Sequence, residues 1–116
     1  MIRLAILLLA VSPALPPTQP PNLCALALHR VGLAITTLEG VRPVLNNPGG
    51  IVDRRGRPVR FRSLAEGKNA MTKMLHARRN LRLRRLVLVW TGYDYPGYAS
   101  YVSKQAGIAL DERICK

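Results

Sequence analysis

The segment Leu23–Leu38 constrains this chain more than any other. Leu23, Ala25, Leu26, Leu28, Val31, Leu33, Ala34, Ile35 and Leu38 would cover nearly every side of a helix with apolar groups. A helix that is apolar all round belongs in the centre of a fold. Asn22, after Pro20-Pro21, is a fair N-cap, and Gly40 is a natural residue to follow the last turn. The pattern therefore predicts a buried central helix of about four turns. Its end carries Glu39, one of only 6 acidic residues. The helix macrodipole opposes a negative charge at that end, and partial burial adds to the cost, so the position is expected to favour a protonated carboxyl.

At 116 residues, the remaining chain has room for one small domain around that helix. Its 18 Lys and Arg give a formal net charge of +12, which fits polyanionic surroundings: nucleic acid, an anionic membrane or an anionic cell-wall polymer. The first residues narrow this. Arg3 precedes the apolar run Leu4–Val11, which is shorter than the roughly 20 residues a bilayer span needs and fits the apolar core of a secretory leader. Ser12 and Ala14 are small residues suited to cleavage after Ala14, although Pro13 between them is unfavourable. The alternatives are an apolar N-terminal helix or a misassigned start. In Pro13–Asn22, five of ten residues are proline, which rules out a helix or a central strand. The expected organisation is a leader over 1–14, a Pro-rich linker over 15–22 and a folded domain over 23–116, exported and with no transmembrane span once mature.

Cys24 and Cys115 stand at opposite ends of that domain. In an oxidising compartment they could tie the tail to the first helix, with a gain of roughly 4 kcal/mol in the chain-entropy model; the alternative is two buried thiols. His29 and His76 are scattered relative to the cysteines, so the spacing supports no metal site. No cofactor is expected.

The other elements follow from local signals. Ile51-Val52 and Val59, Phe61 flank the turn Asp53–Gly56, predicting a β-hairpin with an Arg-rich tip. Ser63 and Glu66 have capping-box spacing and open a second helix to about Arg79, with Leu64, Met71, Met74 and Leu75 on one face. Leu83, Leu86, Val87 and Trp90 recur at helical spacing. A last helix runs from Pro96 or Gly97 to Gln105, closed by Gly107, and Asp111 is placed to cap a short C-terminal turn. The class is α+β, mostly α: a central helix, a β-hairpin and three or four further helices.

That order and its residues carry a resemblance. Glu39-Gly40 ends the central helix, Asn46-Asn47-Pro48-Gly49 follows, then the hairpin, then Phe61, Ser63, Gly67, Ala70, Met71 and Leu75, a Leu-rich segment ending at Trp90, and Tyr98, Tyr101, Val102 and Gly107. Over about Leu26–Ile114 the chain resembles lysozyme-like proteins of phage and bacterial origin with an EG…NNPGN signature. It is more distantly similar to lytic transglycosylases and goose-type lysozymes. The resemblance implies a small lysozyme-like fold. It also implies cleavage of the β-1,4 bond between N-acetylmuramic acid and N-acetylglucosamine in peptidoglycan, with Glu39 as the general acid/base. Such chemistry needs a carboxylic acid that protonates the glycosidic oxygen. Most glycosidases add a second carboxylate. Here Asp53, Glu66 and Asp94 are the few candidates, and that scarcity leans toward the transglycosylase variant, in which the substrate's own 6-hydroxyl closes on the anomeric carbon.

Asn46 and Asn47 match the signature's Asn pair and would bind the N-acetyl group or orient Glu39; equally, both could simply build the turn. Tyr93 and Tyr98 are candidates for lining the groove, one offering its hydroxyl to Glu39. The expected site is a half-buried Glu39 facing a groove between the hairpin and the 92–98 loop. Gly50 departs from the signature, which has Asn there. The expected partners are peptidoglycan strands and the anionic envelope, and the protein is expected to act as a monomer, exported or virion-associated. Two other function classes stand beside this one. A non-catalytic wall-binding or virion structural module could use the same fold. The Arg-dense runs 53–62 and 78–85 could contact nucleic acid, but Phe61 is the sole aromatic within them, where stacking would need several.

Overall fold

Helix α1, Pro21–Glu39, is the element on which the others assemble. The computed structural model describes residues 21–40 and 44–116, so the expected leader and nearly all of the linker lie outside the described residues. Three further helices follow: α2 (Leu64–Ala77), α3 (Leu83–Thr91) and α4 (Pro96–Ala106). Helices α2 and α4 pack on α1, and α3 packs on α4. The result is a small, mostly helical fold.

Each helix supplies an apolar stripe at helical spacing. Val31, Ala34 and Ile35 of α1 meet Met71 and Leu75 of α2, Leu83, Leu86 and Val87 of α3, and Ala99, Val102 and Ala106 of α4. The expected all-round burial of α1 is not found. Leu23, Leu26, Leu33 and Leu38 are exposed, Leu33 by 55%. The reason is the number of neighbours: two helices cover one side of a cylinder, and no described element covers the other. The helix also starts at Pro21, before the expected cap Asn22. Proline is suited to the first helical position because its missing N–H would have no partner there.

The segment between α1 and α2 reverses as expected, but no β-strand forms among the described residues. Ile51 to Phe61 makes a single antiparallel bridge, Val52 to Pro58. Pro58 has no N–H with which to extend a ladder. Two backbone bonds, Asp53 N–H to Arg57 O at 2.8 Å and Val59 N–H to Ile51 O at 2.9 Å, hold the reversal together with side chains. Asp53 Oδ1 accepts the N–H groups of Arg55 (2.8 Å) and Arg57 (3.0 Å), tying off the tip. Asn47, buried at 5% exposure, donates through Nδ2 to Ile51 O (2.7 Å) and Val59 O (2.9 Å) and accepts Ile51 N–H at 2.9 Å. The loop is then pressed against the first turn of α2. A Cβ at Gly67 would lie 1.9 Å from the Asn46 carbonyl oxygen, so only glycine allows this approach. Ser63 caps that turn, accepting Glu66 N–H at 3.1 Å.

At the other end, the tail returns to the start of α3. Leu83 N–H donates to Glu112 O, Ile114 N–H to Leu81 O and Cys115 N–H to Arg79 O. The expected cap by Asp111 is replaced: Glu112 Oε1 accepts Ala109 N–H at 3.2 Å, because the chain turns over residues 109–112 without forming a helix. Cys24 of α1 and Cys115 form a disulfide with Cα atoms 5.1 Å apart. Among the described residues, no helix is long and apolar enough to cross a membrane.

Candidate functional site

The packing of α4 on α1 brings together two residues 59 apart in sequence. Tyr98, in the first turn of α4, donates its hydroxyl to Glu39 Oε2 at 2.9 Å. Pro96 at the start of α4 sets the approach, since proline favours the first helical position and fixes where the turn begins. Burial pushes the Tyr98 phenol well above its ordinary pKa. The negative charge of Glu39 and the hydrogen bond to it act in the same direction. Tyr98 therefore stays protonated, and remains a donor, across the physiological range.

The third component is backbone. Gly50 lies beneath Glu39 with φ 63°, and a Cβ there would fall 2.2 Å from Oε1 and 2.6 Å from Cδ. The stretch leading to Gly50 is firmly placed. Asn47, Pro48 and Gly49 are buried, and Trp90 of α3 donates Nε1–H to Gly49 O at 2.7 Å. One carboxylate oxygen is thus bonded to a phenol while the other rests over a fixed backbone.

The setting differs from the expectation in two respects: neither depression found among the described residues lies between the 51–61 reversal and the 92–98 loop, and the burial is less. Glu39 is exposed, not half-buried. It ends a helix that is covered on one side only, so its carboxyl projects past the packed residues. Two depressions, of 130 Å³ and 190 Å³, lie along α1 where it faces α4 and the C-terminal tail. Leu33 and Tyr101 line the first and Leu26 and Ile114 the second; Glu39 lines neither.

The other candidates separate. Asn47 is consumed by the loop, with both amide hydrogens and the carbonyl directed at Ile51 and Val59. Asn46 takes left-handed backbone at φ 51° and donates Nδ2 to Phe61 O at 3.1 Å. These bonds are the turn-building alternative: both amide hydrogens of Asn47 are used within the loop and the residue is buried, so it offers a sugar no donor. Tyr93 is 66% exposed and its ring stands 5.6 Å from that of Tyr95; only Tyr98 of the two predicted tyrosines bonds to Glu39. Tyr95 and the polar role of Trp90 were not anticipated. The Tyr-x-Tyr spacing of 93 and 95 was available as a signal. For Trp90 there was none, because a core indole and one bonded to a distant carbonyl look alike in sequence.

The Arg-rich runs also divide. Arg54, Arg55, Arg57, Arg60 and Arg62 are exposed, with Arg62 3.5 Å from Glu66. Arg78 and Arg79 instead turn back on α2, donating to Met74 O (3.2 Å) and His76 O (2.9 Å). Arginines at a helix C-terminus satisfy carbonyls left without partners. Part of the second run is therefore helix capping, and the case for a continuous phosphate-binding face weakens.

The chain matches no family model, and no curated protein or solved structure is similar enough to count as a match.

Proposed function

We propose that this protein is a peptidoglycan-cleaving glycosidase of lytic transglycosylase or lysozyme type, with Glu39 as its general acid/base. The observation that carries the reading is the Tyr98 hydroxyl bonded to Glu39 Oε2 at 2.9 Å, with Oε1 lying over Gly50. The phenol fixes the direction of a solvent-accessible carboxyl, and orientation toward the reacting atoms is one requirement of general acid/base catalysis. The resemblance in Glu39-Gly40 and Asn46–Gly49, the lysozyme-like fold it implies and the export leader expected over 1–14 supply the substrate class. The charge of +12 suits an anionic envelope, whether the protein is exported or carried on a virion. Among the described residues no second carboxylate is bonded to this group: Asp53 closes its own turn, Glu66 pairs with Arg62, and Asp94 is exposed in the loop before α4. A reaction carried by Glu39 alone would close through the substrate's own hydroxyl, giving an anhydro sugar.

A second reading has its own support. The exposure of Glu39, and its absence from the depressions along α1, suit a non-catalytic wall-binding or virion module. Clearing of purified peptidoglycan separates the two. The enzyme reading expects clearing that falls at least roughly 100-fold in Glu39→Gln, with anhydro sugars among the products by mass spectrometry. Wall binding without clearing, in protein of unchanged helix content, would establish the module instead.

A further inference from the structure

We propose that Gly50 is a positioning residue: its lack of a side chain is what allows the Glu39 carboxylate to lie on the loop and reach Tyr98, so that any Cβ at position 50 uncouples the pair. The proposal rests on the reading of Glu39 as the reacting group, and it goes beyond that reading in assigning Gly50 a task.

Three observations carry it. First, the left-handed backbone of Gly50, at φ 63°, disfavours most side chains but is of the kind that Asn46 adopts at φ 51° in the same loop, so conformation leaves room for Asn. Second, the space does demand it. A Cβ on Gly50 would sit 2.2 Å from Oε1, 2.6 Å from Cδ and 2.9 Å from Cγ of Glu39, and all three are side-chain atoms of one residue. Third, the loop cannot retreat. Trp90 holds Gly49 O at 2.7 Å, and Asn47 holds both backbone groups of Ile51. The strain must therefore be relieved by the freer partner, the exposed Glu39 side chain. As that side chain swings away, its hydrogen bond from the Tyr98 hydroxyl breaks.

This gives a physical meaning to the departure from the Asn-Pro-Gly-Asn pattern. An Asn at 50 would compete with the carboxylate for the same place. In this chain the carboxylate occupies that place, and Tyr98 is the group that orients it.

Gly56 supplies the control. Its φ is 78°, and a Cβ there meets nothing within 4 Å. Gly56→Ala therefore imposes the same kind of backbone strain as Gly50→Ala without touching Glu39. Gly50→Asn is the second test variant, because left-handed backbone accepts Asn while the added Cβ remains.

The readout is the Tyr98 hydroxyl, followed by NMR in protein labelled with ¹³C at the tyrosine Cζ. Tyr98 is assigned by its loss in Tyr98→Phe, and its Cζ signal is read at neutral pH, where the phenol is protonated and the signal reports the hydrogen bond its hydroxyl donates to Glu39. Gly50→Ala and Gly50→Asn are expected to move that signal to the position it takes in Glu39→Ala, and Gly56→Ala to leave it in place. A Tyr98 signal that moves in Glu39→Ala but stays in place in both Gly50 variants, or that does not move in Glu39→Ala, overturns the proposal. Wall clearing is measured on the same proteins and falls with the Tyr98 shift if Glu39 is the reacting group. If the unsubstituted protein clears no wall, the functional reading fails, while the Tyr98 signal still decides the role of Gly50.

Discussion

At its N-terminal end, α1 is fastened by a covalent bond: Cys24 joins Cys115, and the tail that carries Cys115 is stitched to α3 by backbone hydrogen bonds. At its C-terminal end nothing covalent holds Glu39. A phenol reaches it from α4, and a glycine backbone lies beneath it. Between these ends the helix leaves Leu26 and Leu33 exposed, so the core covers only one side. The contrast teaches how a small chain divides its tasks. A domain of this size buries a limited core, and a crosslink closing a long loop offsets that deficit without shaping a site. The polar end contributes less stability and is adjustable, which is where chemistry can be placed.

The strongest way to break this comparison is to remove the crosslink. Cys24→Ser with Cys115→Ser opens a loop of 91 residues and is expected to lower unfolding free energy by about 4 kcal/mol, read by urea denaturation. Where the double variant still folds, the Tyr98 Cζ signal at neutral pH should be unchanged. A displaced Tyr98 signal would show that the two ends are coupled through α1 and that the division of tasks is wrong.

Asn47→Ala acts on the other end. It removes three hydrogen bonds and leaves the Ile51 N–H and the Val59 carbonyl to find water, while Ile51 O keeps the Val59 N–H. The expected cost is about 2 kcal/mol, with the loop loosened beneath Glu39. Hydrogen exchange should rise at Val59 and at Ile51, whose N–H groups bond within this loop, and not at Cys115. Uniform faster exchange would mean that the loop and the stapled end unfold as one unit.

The same division governs what was legible in the sequence. Helices α2, α3 and α4 follow from apolar spacing and from Ser63, Pro96 and Gly107, all local signals that the chain reads out within a turn or two. Glu39 at a helix end was equally local. The burial of α1 was not, because apolar periodicity states what a helix could bury and not how many neighbours arrive to cover it. The hairpin shrank to one bridge because Pro58 and the buried Asn47 amide redirected its hydrogen bonds. Asn47 was visible as a candidate, but its partners lie 4 and 12 residues away, and nothing in Asn-Asn-Pro-Gly-Gly states which amide turns inward. Gly50 was visible only as a missing Asn. Its approach to Glu39 depends on the long-range path of the loop.

Tyr98→Phe is the gentlest change and the sharpest probe of the polar end. It deletes one exposed hydrogen bond and is expected to cost under about 1 kcal/mol at neutral pH. Its larger signature is in the pH dependence. The folded Tyr98 phenol is raised above its unfolded value near 10. Above that pH the unfolded chain releases the proton while the folded chain retains it, so the folded state binds more protons and stability falls as pH climbs. The contribution is complete below about pH 10 and is lost progressively above it. Other titrations in this range are common to both proteins and cancel in their difference. The unsubstituted protein should therefore lose stability faster than Tyr98→Phe as pH rises above about 10, measured by thermal unfolding at each pH. Parallel curves would mean that Tyr98 is not held against Glu39 in solution. The C-terminal end of α1 would then be unfastened, and the contrast with the disulfide end would be one of a held end against a free one.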